Sequence, residues 1–276
     1  MAEEPSPKTA LVTGASSGIG EATAILLKQN GYTVYGAART VDRMKELEEK
    51  GIHVIALDIT QDESCHNCID TIIGREGSVD ILVNNAGYGS YGAIEDVELE
   101  EARRQFEVNL FGLARLTKLV LPKMRGHGFG KIVNISSIAG KMSVPFGGWY
   151  HASKHALESW SDALRLETEP FGIDVVIIEP GAIKTHFGDI AIGLLSKTSG
   201  SGPYAEAAKK MADRMTNMLD ASRMSDPSVI ADLVLKAITA PRPKARYHGG
   251  YMATPVLLLR RLLPDRAFDW VIKFAG

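Results

Sequence analysis

The chain has little of what several large protein classes need. Two cysteines in 276 residues cannot build the disulfide framework of a small secreted domain. Charge of neither sign dominates: 31 Lys+Arg stand against 33 Asp+Glu, a net charge of −2, which gives no electrostatic basis for nucleic acid as the principal partner. Long apolar runs are missing as well. The stretch Val256 to Leu259 is cut by Arg260 and Arg261, far short of the roughly 20 residues that span a bilayer. Met1 to Ala10 carry two acids and two prolines where a signal peptide needs a basic start and an apolar run, so a cytoplasmic location is expected. The seven histidines show no metal-ligand spacing. Cys65 and Cys68 have no second ligand pair, so they are expected to be structural thiols, and no metal site is expected.

What is present is a 45% apolar composition, enough for a sizeable core. Strand-length apolar runs recur at Ala10–Thr13, Thr33–Ala38, Val54–Leu57, Ile81–Val83, Ile132–Ile135 and Val175–Ile178, with amphipathic stretches between them. This alternation predicts a parallel sheet. Each run is apolar at nearly every position, so helices should cover both faces. The expected fold is a doubly wound (Rossmann) α/β sheet in one domain over residues 1–276. The only compositional break is Ser196–Pro203, rich in Ser and Gly, between two stretches of helical character; it reads as a mobile insert.

The first run leads straight into Thr13-Gly14-Ala15-Ser16-Ser17-Gly18-Ile19-Gly20, which opens a helix through Leu27. A strand that turns through glycines into a helix aims free backbone N–H groups and the positive helix end at one point, which suits a pyrophosphate. The second strand should end beside an adenosine ribose, where an acid would bind the 2′-hydroxyl of NAD. Ala38 and Arg39 stand there instead. A guanidinium pairs with a 2′-phosphate, so the expected cofactor is NADP. Asp58, at the end of the third strand, is placed to accept from the adenine amino group.

Tyr150-His151-Ala152-Ser153-Lys154 opens a helical segment running to about Phe171. The spacing of four puts Tyr150 and Lys154 on one face, one turn apart, where an ammonium would favour the phenolate and bring the phenol toward acid/base range. Asn134-Ile135-Ser136-Ser137 closes the fifth strand, at the sheet edge where ligands bind; either serine also suits a cap. Asn109 interrupts the apolar stripe Phe106, Leu113, Leu116, Val120. A buried amide there is either a satisfied core asparagine or one that holds a water or a catalytic side chain.

Together these residues resemble the classical short-chain dehydrogenases/reductases. The resemblance rests on the glycine loop, Asp58, Asn84-Asn85-Ala86-Gly87, Asn109, Ser137, Tyr150 with Lys154, and Pro180-Gly181 followed by Thr185, in order over roughly residues 8 to 190. It implies a nicotinamide enzyme in which Tyr150 is the acid/base, Lys154 binds the nicotinamide ribose and lowers the tyrosine pKa, and Ser137 hydrogen-bonds the substrate oxygen. Asn109 would hold a water in the proton relay. Gly14, Ser16, Ser17, Gly18, Ile19, Gly20, Arg39, Asp58, Asn85, Ala86 and Gly87 would bind cofactor with Pro180, Gly181, Ile183 and Thr185, the last two at the carboxamide and phosphates. A basic residue at the position of Arg39 accompanies NADP preference in that family; the basic residue that some members carry before the middle glycine is Ser17 here. Helices Glu100–Met124 and Tyr150–Glu169 would build a symmetric dimer or tetramer, with Ala152, Ala156 and Ala163 permitting close approach.

The resemblance places a variable substrate loop at about 186–224. Met211, Met215 and Met218 recur there at helical spacing beside Leu219, and Phe146 and Trp149 precede the tyrosine. Phe146, Trp149, Leu194, Leu195 and Met215 are therefore the expected substrate contacts, with core packing or a subunit contact as the competing role for such residues. They imply an apolar alcohol or ketone, nearest to hydroxysteroid and retinol dehydrogenases; a 3-oxoacyl thioester reductase and a dinucleotide-binding sensor without turnover are the alternatives. Residues 236–276 hold eight Lys+Arg and two Asp+Glu, a local +6 against −8 for the rest. Pocket closure or subunit packing is the expected role of this basic segment, ahead of contact with an anionic membrane surface.

Overall fold

A computed structural model describes residues 7–218 and 224–274. Among them, seven strands form one wholly parallel sheet: β1 (Thr9–Thr13), β2 (Thr33–Ala38), β3 (His53–Ala56), β4 (Ile81–Asn84), β5 (Gly130–Ile135), β6 (Ile173–Pro180) and β7 (Arg246–Gly249). Their order is β3-β2-β1-β4-β5-β6-β7. The doubly wound arrangement follows from the sequence pattern. Alternate residues of each central strand enter opposite cores, Ala10 and Val12 packing on one face and Leu11 on the other.

The helices, in chain order, are α1 (Gly18–Gln29), α2 (Lys45–Glu49), α3 (Asp62–Glu76), α4 (Leu99–Phe106), α5 (Leu113–His127), α6 (Gly148–Thr168), α7 (Phe187–Ser199), α8 (Ala205–Met218), α9 (Ser228–Thr239), α10 (Ala253–Leu262) and α11 (Asp265–Phe274). Leu27 of α1 and Ile230 and Val234 of α9 fill one core; Ile69 and Ile72 of α3, Leu116 and Val120 of α5 and Leu164 of α6 fill the other. Cys65 and Cys68 lie in that second core as free thiols. Burial pushes them up to about 11 and about 12, which suits packing rather than redox chemistry. No group of three or more candidate metal ligands occurs among the described residues.

Three features depart from the sequence pattern. β7 is a strand with one aliphatic or aromatic residue, Tyr247, held by pairing with β6. The stretch expected as one helix over Glu100–Met124 divides into α4, a wider π-type turn at Glu107–Gly112, and α5. Ser196–Pro203 is not an open loop: α7 runs through Ser199, and a short turn at Gly202–Tyr204 leads into α8. Its ends are tied down, since Ser199 Oγ accepts from Ala93 N at 2.9 Å and Tyr204 donates to Glu95 at 2.7 Å. Leu219 lies outside the described residues.

Candidate active site

The strands bring their carboxyl ends to one edge, and the expected site residues follow them. β1 ends at Thr13, and the chain turns through Gly14–Ser17 into α1. Gly14 and Gly18 have φ of +67° and +59°, a region that favours glycine. A Cβ on Gly14 would lie 2.9 Å from Asn85 Nδ2, one on Gly18 2.9 Å from Thr185 Cγ2, and one on Gly20 2.3 Å from the Gly14 carbonyl. The glycines thus let the loop, Asn85-Ala86 and Thr185 meet. Ser17 at the helix start makes no side-chain cap, so the first amides of α1 remain for an anion. A groove of about 630 Å³ lined in part by Ser17, Gly18, Thr185 and His186 opens there.

Thr13 Oγ1 accepts from the amides of Asn85 and Ala86, both at 3.0 Å, and Asn85 Nδ2 donates to Thr13 O at 2.9 Å. These bonds fix the strand β4 exit beside the glycine loop, with Gly87 beyond it and exposed. Arg39 is exposed at the end of β2 and has no ion pair among the described residues. Its charge reaches Asp58. Burial would raise that carboxyl, but hydrogen bonds from Thr60 N (3.0 Å) and Thr60 Oγ1 (2.8 Å), with the charges of Arg39 and Arg104, hold it below the usual carboxylate range. After β6, Gly181 N donates to Gly249 O at 2.8 Å, and Ile183 pairs with Ser225. Pro180 and Gly181 therefore lie against β7 and Tyr251 rather than hanging free. This donor-rich, glycine-lined edge fits a dinucleotide diphosphate.

Tyr150 and Lys154 sit in the first turns of α6, both buried. Lys154 Nζ donates to Ile135 O at 2.8 Å, which ties it to the end of β5. Ser137 hydrogen-bonds Tyr150 and also caps the next turn, its Oγ accepting from Ala139 N at 3.1 Å. Ser136, the other candidate, turns into the protein and its buried hydroxyl has no partner among the described residues. Asn109 lies in the π-type turn and spends its amide on the fold: Nδ2 donates to Tyr88 O (3.0 Å) and Ser153 Oγ (3.1 Å), while Oδ1 accepts from Tyr88 N (3.2 Å). Ser153 in turn donates to the Tyr150 carbonyl at 2.7 Å. Asn109 thus braces the turn that carries the tyrosine.

The expected lowering of the tyrosine pKa is not what the protein alone produces. Burial pushes Tyr150 up to about 12, with the Ser137 hydrogen bond pulling the other way. Lys154 is pushed down to about 8, again by burial, against the charge of Glu158. Both shifts have one cause, the exclusion of water from the site. The Phe187 ring lies 5.2 Å and the Tyr91 ring 5.8 Å from that of Tyr150. Neither residue carries a periodic or motif signal, and sequence reading did not find them.

Around this centre Tyr91, Ala139, Tyr150, Ala191, Leu195 and Ala208 form a separate apolar cluster, with Phe146, Phe187, Met211 and Met215 packed against it. Phe146, Leu195 and Met215 are therefore brought to the tyrosine. Phe146 adopts φ +65°, a strained backbone for an aromatic residue beside the site. Trp149 and Leu194 are not in the cluster. Trp149 is one residue and about 100° around the helix from Tyr150; it packs on Phe106 instead, ring centroids 6.5 Å apart. Leu194 is half-buried on another face of α7.

The short chain dehydrogenase family model matches residues 8–190. A 3-ketodihydrosphingosine reductase of Bacteroides thetaiotaomicron is 44% identical over 184 residues, 66% of each chain. An NADPH-dependent 3-dehydrocapnine reductase of Ornithobacterium rhinotracheale is 36% identical over 276 residues, 94% of each chain. Retinol dehydrogenase 8 of Bos taurus is 32% identical over 278 residues, covering 94% of this chain and 86% of that one. The solved structure of a short-chain dehydrogenase from Streptomyces avermitilis superposes with a TM-score of 0.82 at 34% identity, over 99% of this chain and 97% of the other. The glycine-lined strand edge, with serine, tyrosine and lysine gathered beside it, thus belongs to a member of the short-chain dehydrogenase family, an oxidoreductase that works with a nicotinamide dinucleotide.

Proposed function

We propose that the protein uses NADP(H) to interconvert a secondary alcohol and a ketone on an apolar carbon skeleton. The observation that carries this reading is the placement of Tyr150 and Ser137 at the floor of an apolar cluster, with an exposed, unpaired guanidinium at Arg39 on the nucleotide side. The names of two relatives, a 3-ketodihydrosphingosine reductase and an NADPH-dependent 3-dehydrocapnine reductase, support the ketone and the cofactor, and a retinol dehydrogenase supports the apolar skeleton. When bound, the dinucleotide would supply or accept the hydride, held by Gly14, Ser16 to Gly20, Arg39, Asp58, Asn85 to Gly87, Tyr150, Lys154, Pro180, Gly181, Ile183 and Thr185. Tyr150 gives its proton to the substrate oxygen in reduction and takes one in oxidation, while Ser137 orients that oxygen. Asn109, through Ser153, keeps the α6 turn in place. Phe187 and Tyr91 exclude water and make the site favour ligands that bury apolar surface.

Steroid, retinoid, 3-oxoacyl thioester and small polar ketones assayed with NADPH and NADH test the reading. Turnover of a large apolar ketone with NADPH is the expected result. Preference for small polar ketones or for NADH would overturn it, and dinucleotide binding without any turnover would make the protein a sensor. We further infer a symmetric subunit interface on α4 to α6, where Leu99, Phe106, Phe111 and Trp149 line an outer groove. Sedimentation at micromolar concentration that shows only the 29.9 kDa species would reject it.

A further inference from the structure

We propose that α10 and α11 dock the protein onto the surface of an anionic lipid bilayer. α10 is amphipathic with the wrong side out. Its inner face carries Ala253, which is fully buried, and the half-buried Val256 and Leu257; its outer face carries Leu258 (54% exposed), Leu259 (37%) and Leu262 (68%). Arg261 is exposed at the edge of that apolar face. An apolar face turned to water on a short surface helix marks an interaction site.

α11 continues the pattern with cations. Phe268 is buried and Val271 and Ile272 are half-buried on its inner face, with the Arg260 guanidinium 5.4 Å from the Phe268 ring. On its outer face Arg266, Trp270 and Lys273 follow at i, i+4 and i+7, with the exposed Asp269 beside them, Trp270 being 63% exposed. Arg261, Arg266 and Lys273 have no ion pair among the described residues; Arg260 alone is paired, with Asp265 at 2.8 Å. Pro255 falls in the first turn of α10 and Pro264 between the helices, so the prolines bound these helices instead of breaking them.

The charge decides the occupant. Leucines and an indole flanked by arginine and lysine match the boundary between acyl chains and headgroups, where the ring sits amphipathically and the cations meet lipid phosphates and carboxylates. α10 and α11 hold four Lys+Arg against two Asp, a local +2 on a chain of net charge −2, which turns this face rather than the rest of the surface toward an anionic partner. No helix among the described residues is long and apolar enough to cross a membrane, so the contact is a docking one. α10 also packs against the turn Ile138–Gly140 that follows Ser137, which sets the docked face next to the element that carries the catalytic serine.

Flotation of the full chain with vesicles of phosphatidylcholine alone, and of phosphatidylcholine with phosphatidylserine, tests this. Association with the anionic vesicles only, reversed by high salt, is expected. Arg261→Glu with Arg266→Glu should lower partitioning at least tenfold, each basic contact contributing about fivefold. Leu258→Glu with Leu262→Glu, all exposed positions that leave the cores intact, should lower it similarly with unchanged Tm. Equal association with both vesicle types, association with neither, or wild-type partitioning by both variants would overturn the proposal. A fall in sedimenting mass of the leucine variant without lipid would assign the face to a second copy of the chain and overturn it equally.

Discussion

Two strand-to-helix turns at the same edge of the sheet solve opposite problems. The passage from β1 to α1 presents free backbone amides, and its own shape is local, set by glycines at positive φ and an uncapped helix start, with Thr13 fastening it to Asn85 at the exit of the neighbouring strand. The passage from β6 to α7 ends in side chains beside Tyr150, and most of what shapes it comes from far along the chain. Its backbone is fixed by pairing to Ser225 and Tyr251, and its outcome is Phe187 lying over Tyr150. A backbone site tolerates any neighbours that leave the loop its shape. A side-chain cover depends on residues far apart in the chain, so it is the part in which relatives can differ in substrate while sharing a cofactor.

The largest effect is expected where the two passages meet. Tyr150→Phe should lower turnover by about 10²- to 10⁴-fold while dinucleotide affinity, measured by fluorescence titration, stays within a factor of two or so; near-normal kcat would remove the phenol from the chemistry. Next, Arg39→Asp should break the nucleotide side alone. Losing a charge-assisted contact costs about 1.5–3 kcal/mol, roughly ten- to a hundredfold in NADPH affinity, and the new carboxylate favours NADH. Unchanged selectivity would take Arg39 out of the site.

Phe187→Ala should break the substrate side alone. Part of an aromatic ring's burial, about 1–1.5 kcal/mol, would be lost, raising KM for an apolar ketone roughly tenfold. Water admitted to Tyr150 should also bring its pKa down from about 12, moving the alkaline limb of the pH–rate profile to lower pH. The same profile in wild type and variant would show that the ring does not set the tyrosine's environment.

The smallest effect concerns how β7 is held behind the site. Arg246 on β7 meets Glu158 at 2.9 Å and Asp162 at 2.6 Å on α6, with Glu179 of β6 at 3.7 Å. Burial, then the charge of Glu158, raises Glu179 from 4.5 to about 7 against Lys141 and Arg246. The fold therefore holds a proton that the unfolded chain has released, so stability falls as pH rises from about 4.5 to about 7. Glu179→Gln should flatten thermal stability across that window; parallel wild-type and variant curves would show that the carboxyl does not titrate there.

Much of this was legible in the sequence, and the limits are physical. Thr33–Ala38 is the predicted strand to the residue, because a strand buried on both faces must be apolar throughout. The glycine loop was legible because positive φ and close approach leave few residue choices. β7 was not, since Arg246-Tyr247-His248-Gly249 has no strand pattern of its own; pairing with β6 and the carboxylates of α6 make it a strand. Trp149 was expected on the substrate side because it adjoins Tyr150 in the chain, yet a helix sends successive residues to different faces. The Ser/Gly composition of 196–203 reads as a mobile insert, and its ends bond to Ala93 and Glu95, about a hundred residues earlier in the chain.

The sequence by itself determined the six strands β1 to β6, the glycine turn and the placement of Tyr150 one helical turn before Lys154, since each rests on rules acting within a few residues. The resemblance already picked Ser137 over Ser136; only the tertiary structure decided that Ser136 turns inward without a partner among the described residues, that Asn109 braces α6, and that α10 turns leucines outward. It also decided the direction of the Tyr150 shift. Spacing on a helix brings an ammonium near a phenol, but the pKa follows the solvent that distant side chains exclude, and Phe187 and Tyr91 reach the ring only once the sheet has assembled.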